Sequence, residues 1–436
     1  MFYLALVWAA AQVLPPAQVG LLLVCGSLPR ALVLLFGGVL VDRVGPKRVI
    51  IASDSVRTLI MVCAALTLLV TAPGPLLLLV LAVVFGVVDG FFLPAVGSVP
   101  AFVAAPETMA RLQALRSLVY RGAPVLGAGV GGWLIASGSI AAAFVFNAAV
   151  FAFSVAALAI TRMLQPTERA DGRPDERPRG EPGELLTPAG GPDVVQHSTA
   201  LPGTAGPPGG FGSVSLPVNG PRWWGVLSGV LGEAIDGLRT AAADPFLRVA
   251  VLVVTLLDLG LAGPMTAGPA LVASTSGWGA DGAGALLAAM PAGAAACAAV
   301  LIVRRPTVRA GVAIAGSAAL TAVGLLGVGV AVVAGGRHAF VLAVASCALV
   351  GVAVGVYGTM INTALIQLSP VGQLGRVFAV VSLASYVGDP LSLAGTGALE
   401  GIRPGYSFIA GSVLVAAAAI LAAVSAPLRT VAVAKK

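Results

Sequence analysis

The stretch "GGVLVDRVGPKRVI", from Gly37 to Ile50, sets a dense group of charges between two long apolar runs. Four charged residues fall within seven positions: Asp42, Arg43, Lys47 and Arg48. Gly45 and Pro46 stand between the two halves of this group, and such a Gly-Pro pair is a strong turn signal. The pattern therefore predicts two apolar helices that are joined by a tight, basic turn.

The composition of the whole chain agrees with a membrane location. The 436 residues are 58% hydrophobic and only 10% charged, whereas a soluble protein carries about 25% charged residues. The apolar blocks are long enough to cross a hydrocarbon core of about 30 Å. They lack the alternation of a membrane β-barrel. We predict an all-α, polytopic membrane protein.

Charges and Pro/Gly clusters divide the chain into about twelve spans. They lie roughly at 1–14, 17–41, 47–71, 75–100, 112–136, 139–162, 245–272, 281–304, 309–334, 338–369, 375–399 and 405–428. We expect an N-terminal six-helix bundle over 1–162 and a C-terminal six-helix bundle over 245–436. The span 1–14 would rise only about 21 Å as a helix. The first helix is therefore either truncated or begins upstream of Met1, and we favour an upstream start.

The segment between the two bundles has a different composition. Much of 163–244 is rich in Pro, Gly and acidic residues, as in "ERADGRPDERPRGEPGE", and such a segment buries too little apolar surface to fold. We predict a largely disordered linker. Apolar residues return at helical spacing over 223–242, which predicts an amphipathic helix at the membrane surface.

The basic residues predict the orientation. Most Lys and Arg fall in alternate loops and in the C-terminal tail: 42–48, 101–111, 163–248, 304–309, Arg376 and 429–436. Basic loops stay in the cytoplasm, so we expect a multi-pass protein of the cell membrane with both termini and the linker in the cytoplasm. The same bias accounts for the net charge of +7, and we expect no nucleic-acid partner.

The opening stretch resembles the signature loop of the major facilitator superfamily, G-x3-D-R-x-G-x-K/R-R/K, with Gly38 as its first residue. Two six-helix halves around a long cytoplasmic linker are also that superfamily's layout. Four further stretches are similar to the branch of enterobactin exporters and macrolide efflux pumps: "LPRALVLLFGGVLVDRVGPKR" (28–48), "FFLPA" (91–95), "FNAAVFAFSVAAL" (146–158) and "GRVFAV" (375–380).

The resemblance implies a gating role for this loop. Asp42 would face the N-terminus of the eleventh helix, which starts near Gly375, and this contact would break when the carrier opens inward. Arg43, Lys47 and Arg48 would hold the turn at the anionic inner leaflet. The alternative is a plain positive-inside anchor without a gating role. The fourth helix lacks the Arg-x-x-Gln-Gly motif that is linked to proton coupling in the family.

Charged residues inside the apolar spans are the candidate coupling groups, since each costs about 2.5–3.5 kcal/mol at a helix centre unless it faces a cavity or a partner. They are Arg30, Asp89, Arg121, Asp258 and Asp389. We expect Asp89 or Asp258 to take up and release a proton, with Arg30 or Arg121 as countercharge. The alternative is a fixed ion pair, such as Arg30 with Asp89. Asp54 and Arg57, one turn apart, predict a local pair that supports the charged turn.

Few uncharged polar groups interrupt the spans. Tyr357, Asn362 and Tyr386 are candidate substrate contacts, and the apolar surroundings favour bulky hydrophobic or amphiphilic compounds over sugars. The sequence contains no P-loop motif, and we expect neither an enzyme nor a metal or cofactor site.

The resemblance implies a monomeric carrier that exports a drug, antibiotic or siderophore-like metabolite against protons by alternating access. The alternatives are a non-transporting, degenerate member of the fold and a proton-independent facilitator or importer.

Overall fold

The computed structural model describes residues 1–99, 109–137, 139–161, 245–303, 310–368 and 374–425. All regular elements in these ranges are α-helices, thirteen in number. They are α1 (Phe2–Val13), α2 (Pro16–Val44), α3 (Pro46–Val70), α4 (Pro75–Ser98), α5 (Met109–Ser137), α6 (Ile140–Ile160), α7 (Pro245–Thr266), α8 (Gly268–Thr275), α9 (Gly279–Val303), α10 (Ala310–Ala334), α11 (Ala339–Leu368), α12 (Leu374–Ile402) and α13 (Tyr406–Val424).

The all-α, membrane-spanning fold is confirmed. Nine helices within the described ranges are long and apolar enough to cross a membrane, and two shorter apolar stretches add to them. Many of their large apolar side chains point outward, such as Leu69, Phe153 and Ile160, each more than 70% exposed. This pattern is expected where lipid rather than water surrounds the helices. The linker 163–244, its helix 223–242 and the tail from 429 lie outside the described residues.

The seventh span differs from the single helix that its apolar run predicts. It is divided into α7 and α8 between Thr266 and Gly268, and Pro264 and Pro269 flank the break. The Ser392 hydroxyl of α12 stands inside the backbone ladder of α7. It accepts from the Gly263 N–H at 2.7 Å and donates to the Leu259 carbonyl at 2.7 Å. A hydroxyl inserted between residues four apart is a known cause of a bend.

We call helices α1–α6 the N-terminal bundle and helices α7–α13 the C-terminal bundle. We call the end of the bundles that holds the turn at Gly45 the inner end, and the opposite end the outer end. Three helix pairs carry most of the contact between the bundles: α2 with α12, α5 with α9, and α1 with α8.

Paired glycines bring these helices together near the outer end. A Cβ atom on Gly397 of α12 would lie 2.7 Å from Gly20 Cα of α2, and one on Gly132 of α5 would lie 2.9 Å from Gly284 Cα of α9. Both distances are shorter than real Cβ contacts, so the backbones meet at these points without side chains between them. Small residues of this kind permit close packing of helices in lipid. The two bundles are therefore in direct contact at the outer end.

Candidate functional site

The signature turn is built on a glycine that both ends α2 and precedes α3. Gly45 has φ +90°, a left-handed conformation that side chains rarely adopt. Pro46 opens α3, where its missing N–H costs nothing. Lys47 Nζ donates to the Thr161 carbonyl at 2.7 Å and to the Ala159 carbonyl at 3.3 Å. A cation on the last carbonyls of a helix is a favourable C-terminal contact, and it ties the turn to the end of α6.

The other residues of this motif divide into two groups. Arg43 and Arg48 are exposed at the inner end. The surroundings of Gly38 and Gly375 and the side chain of Asp42 lie outside the described part of the molecule. The predicted contact between Asp42 and the start of α12 therefore stays a prediction. The close approach of α2 to α4 is visible one residue earlier, where a Cβ on Gly37 would lie 2.6 Å from the Gly90 carbonyl oxygen.

A buried guanidinium group forms the centre of the N-terminal bundle. Arg57 and Asp54 of α3 pair at 3.0 Å, and both side chains are only 3% exposed. Arg57 also pairs with Asp89 Oδ1 of α4 through Nη2. Its guanidinium carbon lies 4.0 Å from the centroid of the Phe92 ring, which adds a cation–π contact. The predicted local pair is present, but Arg57 also reaches a second carboxylate on another helix.

Two further hydrogen bonds connect this centre with the remaining helices of the bundle. The Ser154 hydroxyl of α6 donates to Asp54 Oδ2 at 2.7 Å. The Tyr3 hydroxyl of α1 lies 3.4 Å from Asp89 Oδ2 and donates to it. The Asp54–Arg57–Asp89 triad thus joins α1, α3, α4 and α6.

An ion pair crosses between the two bundles at the middle of the helices. Arg30 Nη2 of α2 lies 3.3 Å from Asp389 Oδ2 of α12, and the two side chains are 21% and 26% exposed. Arg30 also lies near enough to Asp89 to interact electrostatically with it. The alternative interpretation named Asp89 as the ion-pair partner of Arg30, and this partner is wrong. Asp89 pairs with Arg57, and Arg30 pairs with Asp389 across the bundle interface. The chain order of the spans gives no information on which of two nearby carboxylates an arginine selects.

The charges of this region do not balance. Arg30 and Arg57 provide two positive charges, whereas Asp54, Asp89 and Asp389 provide three negative charges. These five side chains therefore carry one net negative charge when all are ionised. A single bound proton neutralises the group, and neutralisation is favourable where the dielectric constant is low.

The C-terminal bundle holds a second candidate group. Tyr357 of α11 is 6% exposed, and its hydroxyl oxygen has no hydrogen-bond partner among the described residues. Asp258 of α7 interacts electrostatically with it. The side chains of Arg121, Asn362 and Tyr386 fall outside the described part of the chain, so their predicted roles stay predictions.

The structure adds three residues that the sequence analysis does not select: Tyr3, Ser154 and Ser392. Each carries a hydroxyl in an apolar helix, and a serine hydroxyl in a helix can bond to its own backbone instead of to another helix. One available signal is the position of Ser392, three residues after Asp389, because this spacing places both on neighbouring parts of one helix surface.

The family model described as "Major Facilitator Superfamily" matches residues 1–393 of this chain. The chain belongs to the major facilitator superfamily. The signature turn, the two bundles and the ion pair between them are thus features of a member of this superfamily. None of the curated proteins that were compared matches the chain.

Solved structures of other superfamily members have the same fold. The inward-open xylose transporter XylE from E. coli aligns with a TM-score of 0.61 at 12% identity, over 97% of this chain and 92% of that chain. The D-xylose-proton symporter gives 0.64 at 13% identity, over 96% and 91%. The nucleoside transporter NupG gives 0.62 at 10% identity, over 97% and 93%. At such identities the likeness concerns the fold alone.

Proposed function

We propose that this superfamily member exports a hydrophobic or amphiphilic small molecule across the cell membrane in exchange for protons. It works as a monomer by alternating access, with both termini in the cytoplasm. The observation that carries the proposal is the Arg30–Asp389 ion pair, because it joins the two bundles near the middle of α2 and α12. Asp89 lies within electrostatic reach of the same arginine.

The ion pair and the outer glycine contacts belong to one arrangement of the bundles. When the outer ends meet, Arg30 and Asp389 pair, and the guanidinium stabilises the charged form of Asp389 relative to an arrangement without it. When the outer ends separate, α2 and α12 move apart and Asp389 loses its cation. It then takes up a proton from outside. Return to the closed outer end restores the pair and releases that proton toward the cytoplasm.

Asp89 is the second proton-linked group in this proposal. It competes with Asp389 for the charge of Arg30, and the excess of one carboxylate provides a place for one proton. Asp258 beside Tyr357 is the corresponding candidate in the C-terminal bundle. Arg121 is proposed as a further countercharge on the basis of its position in the sequence.

The chemistry of the interior supports an apolar cargo. Ala, Leu and Val make up most of the buried apolar residues of the described helices. The unpartnered Tyr357 hydroxyl offers one polar contact for a bound molecule, and Asn362 and Tyr386 are proposed as two more. Such a site suits a bulky compound with few polar groups. Export rather than import rests on the resemblance to enterobactin exporters and macrolide pumps.

The signature turn is proposed as the inner gate. Lys47 already fixes the turn to the end of α6, and Gly45 gives it a shape that other residues adopt only with strain. Arg43 and Arg48 are exposed where anionic lipid would lie. Gly38 and Asp42 complete the proposed contact with α12.

Efflux in cells tests the proposal. Cells that produce the protein are loaded with a panel of fluorescent hydrophobic dyes and a macrolide, and accumulation is measured with and without a proton uncoupler. We expect low accumulation that rises with the uncoupler. Asp89→Asn and Asp389→Asn should remove the uncoupler effect. Asp281→Asn, which alters an exposed carboxylate at the outer end of α9, is the matched control and should behave like the wild type.

The alternatives predict other outcomes. Efflux that the uncoupler leaves unchanged would indicate a proton-independent facilitator. Uptake in place of efflux would indicate an importer. Accumulation of every compound at the level of cells without the protein would favour a non-transporting member of the fold.

A further inference from the structure

The triad in the N-terminal bundle has an arrangement that packing alone does not require. Arg57 binds two carboxylates at once, Asp54 through Nη1 and Asp89 through Nη2. Asp54 is a neighbour on the same helix, three residues away, whereas Asp89 belongs to α4. One positive charge is thus divided between two negative charges in a site from which water is largely excluded.

The two carboxylates differ in how firmly they are held. Asp54 is 3% exposed, and its second oxygen accepts from Ser154 at 2.7 Å. Asp89 is 15% exposed, and among the described residues its second oxygen accepts a long hydrogen bond of 3.4 Å from Tyr3. Asp54 is therefore the fixed member of the pair, and Asp89 is the member that can take up a proton with the smaller loss of hydrogen bonding.

The charged and titratable groups around Asp89 come from three neighbouring helices. They are Tyr3 from α1, Arg30 from α2, and Arg57 with Asp54 behind it from α3. Arg57 itself is held in place by the Phe92 ring at 4.0 Å. A guanidinium that is fixed by a ring and by Asp54 cannot follow Asp89 if that side chain moves.

We infer that Asp54 sets the pH at which Asp89 takes up its proton, because Asp54 and Asp89 share the single positive charge of Arg57. Asp54 and Arg57 are positioning residues for Asp89 and do not themselves carry the transported proton. The inference rests on the proposed role of Asp89 as a proton-linked group. It explains why the interior of this bundle contains a carboxylate that faces neither the bundle interface nor the inner turn.

The inference predicts the direction in which two substitutions shift the pH at which Asp89 takes up its proton. Arg57→Gln removes the shared cation and leaves two carboxylates close together, so Asp89 should accept its proton at a higher pH. In Asp54→Asn, Asp89 becomes the only carboxylate that pairs with Arg57, and a neighbouring negative charge is lost. Asp89 should therefore stay ionised to a lower pH. A role in packing alone predicts no such opposite shifts.

Infrared titration of the purified, full-length protein in lipid nanodiscs tests this directly. The carbonyl band of a protonated carboxyl group is followed against pH, and the part that disappears in Asp89→Asn is assigned to Asp89. We expect its midpoint to rise by about 1 pH unit or more in Arg57→Gln and to fall by a similar amount in Asp54→Asn. Arg57→Lys keeps the cation and should stay near the wild-type midpoint, even if Arg57→Gln folds poorly.

A control comes from the other bundle. Glu400 is a buried carboxylate whose hydrogen bonds are all to Gly405 and Ser407 among the described residues. Glu400→Gln should leave the Asp89 band in place. The inference is wrong if no band depends on Asp89, or if Arg57→Gln and Asp54→Asn shift it in the same direction or not at all. Because the titration needs no substrate, its result is independent of whether the uncoupler alters efflux.

Discussion

The two bundles share a fold but use their buried polar groups in different ways. In the N-terminal bundle, Asp54, Arg57 and Asp89 place charge inside the helices, where they bond to one another. In the C-terminal bundle, Glu400 and Ser392 bond to backbone groups. Glu400 accepts from the N–H groups that begin α13, and Ser392 enters the ladder of α7. The buried charges Asp54, Arg57 and Asp89 of the N-terminal bundle bond to one another, whereas Glu400 and Ser392 of the C-terminal bundle bond to the backbone of neighbouring helices.

This difference matters at the interface between the bundles. Asp389 of α12 faces the N-terminal bundle and pairs with Arg30 there, while Ser392 on the same helix bonds to the backbone of α7. A change at Asp389 therefore reaches both bundles through α12. We expect the following substitutions to separate the role of the buried charges from the role of the polar groups that bond to helix backbones.

Removal of the buried cation should have the largest effect. Arg57→Met leaves Asp54 and Asp89 without their partner, and breaking one side of a buried ion pair typically costs about 3–5 kcal/mol. We expect a large loss of thermal stability in detergent. The double variant Arg57→Met/Asp54→Asn should regain part of it, since one unpaired charge is gone. If the single variant were as stable as the wild type, the charge in this bundle would not hold the helices together.

Glu400 should show the largest effect in the C-terminal bundle. Glu400→Ala leaves the N–H groups of Gly405 and Ser407 and the Ser407 hydroxyl without an acceptor. Hydrogen bonds to charged groups contribute roughly 1.5–3 kcal/mol, and we expect a loss of about 2 kcal/mol. Glu400→Gln retains an acceptor and should lose less in the same thermal measurement. Equal losses of stability in the two variants would show that hydrogen bonding does not explain the contribution of Glu400.

The contact between α2 and α12 at the outer end should be sensitive to a larger side chain at Gly397 and insensitive to one at Gly395. A Cβ on Gly397 would lie 2.5 Å from the Pro16 carbonyl oxygen, whereas one on Gly395 would meet nothing within 4 Å. Overpacking costs about 1–3 kcal/mol, so Gly397→Val should weaken outer closure and lower the efflux rate about tenfold. Gly395→Val is the matched control on the same helix. Similar rates for both variants would contradict a closed contact at this point.

The smallest effect is expected at Ser392. In Ser392→Ala the Gly263 N–H and the Leu259 carbonyl can bond directly, so we expect a change in stability below about 1 kcal/mol. Amide hydrogen exchange in α7 should nevertheless become slower, because the Gly263 N–H then bonds within its own helix. Faster exchange would show that the Ser392 hydroxyl stabilises α7.

Much of the fold follows from the sequence because lipid imposes simple rules on it. Apolar length, basic loops and the Gly-Pro turn predict α2 and α3 within a few residues of their observed ends. The break between α7 and α8 is missed, since apolar residues continue through it and a proline inside a membrane helix does not by itself end the helix.

The candidate site is less predictable. The sequence shows that Arg30, Asp89 and Asp389 need partners, because an isolated charge in an apolar span is costly. It does not show which partner each one takes, since that depends on the packing of α2, α3, α4 and α12 in space. The reach of Arg57 to Asp89 and the insertion of Ser392 into α7 are of the same kind. Both are contacts between residues on different helices, and periodicity along one helix carries no information on them.

The most direct test of the whole account is a distance measurement across the outer end. Spin labels are attached at Gln18 of α2 and Ile402 of α12, both exposed, in a variant without its four native cysteines. Their separation in nanodiscs is followed by pulsed electron paramagnetic resonance as the pH falls. We predict a longer distance at low pH, and the longer distance at every pH in Asp389→Asn. A separation that is independent of pH and equal in Asp389→Asn would contradict a proton-controlled ion pair between the bundles.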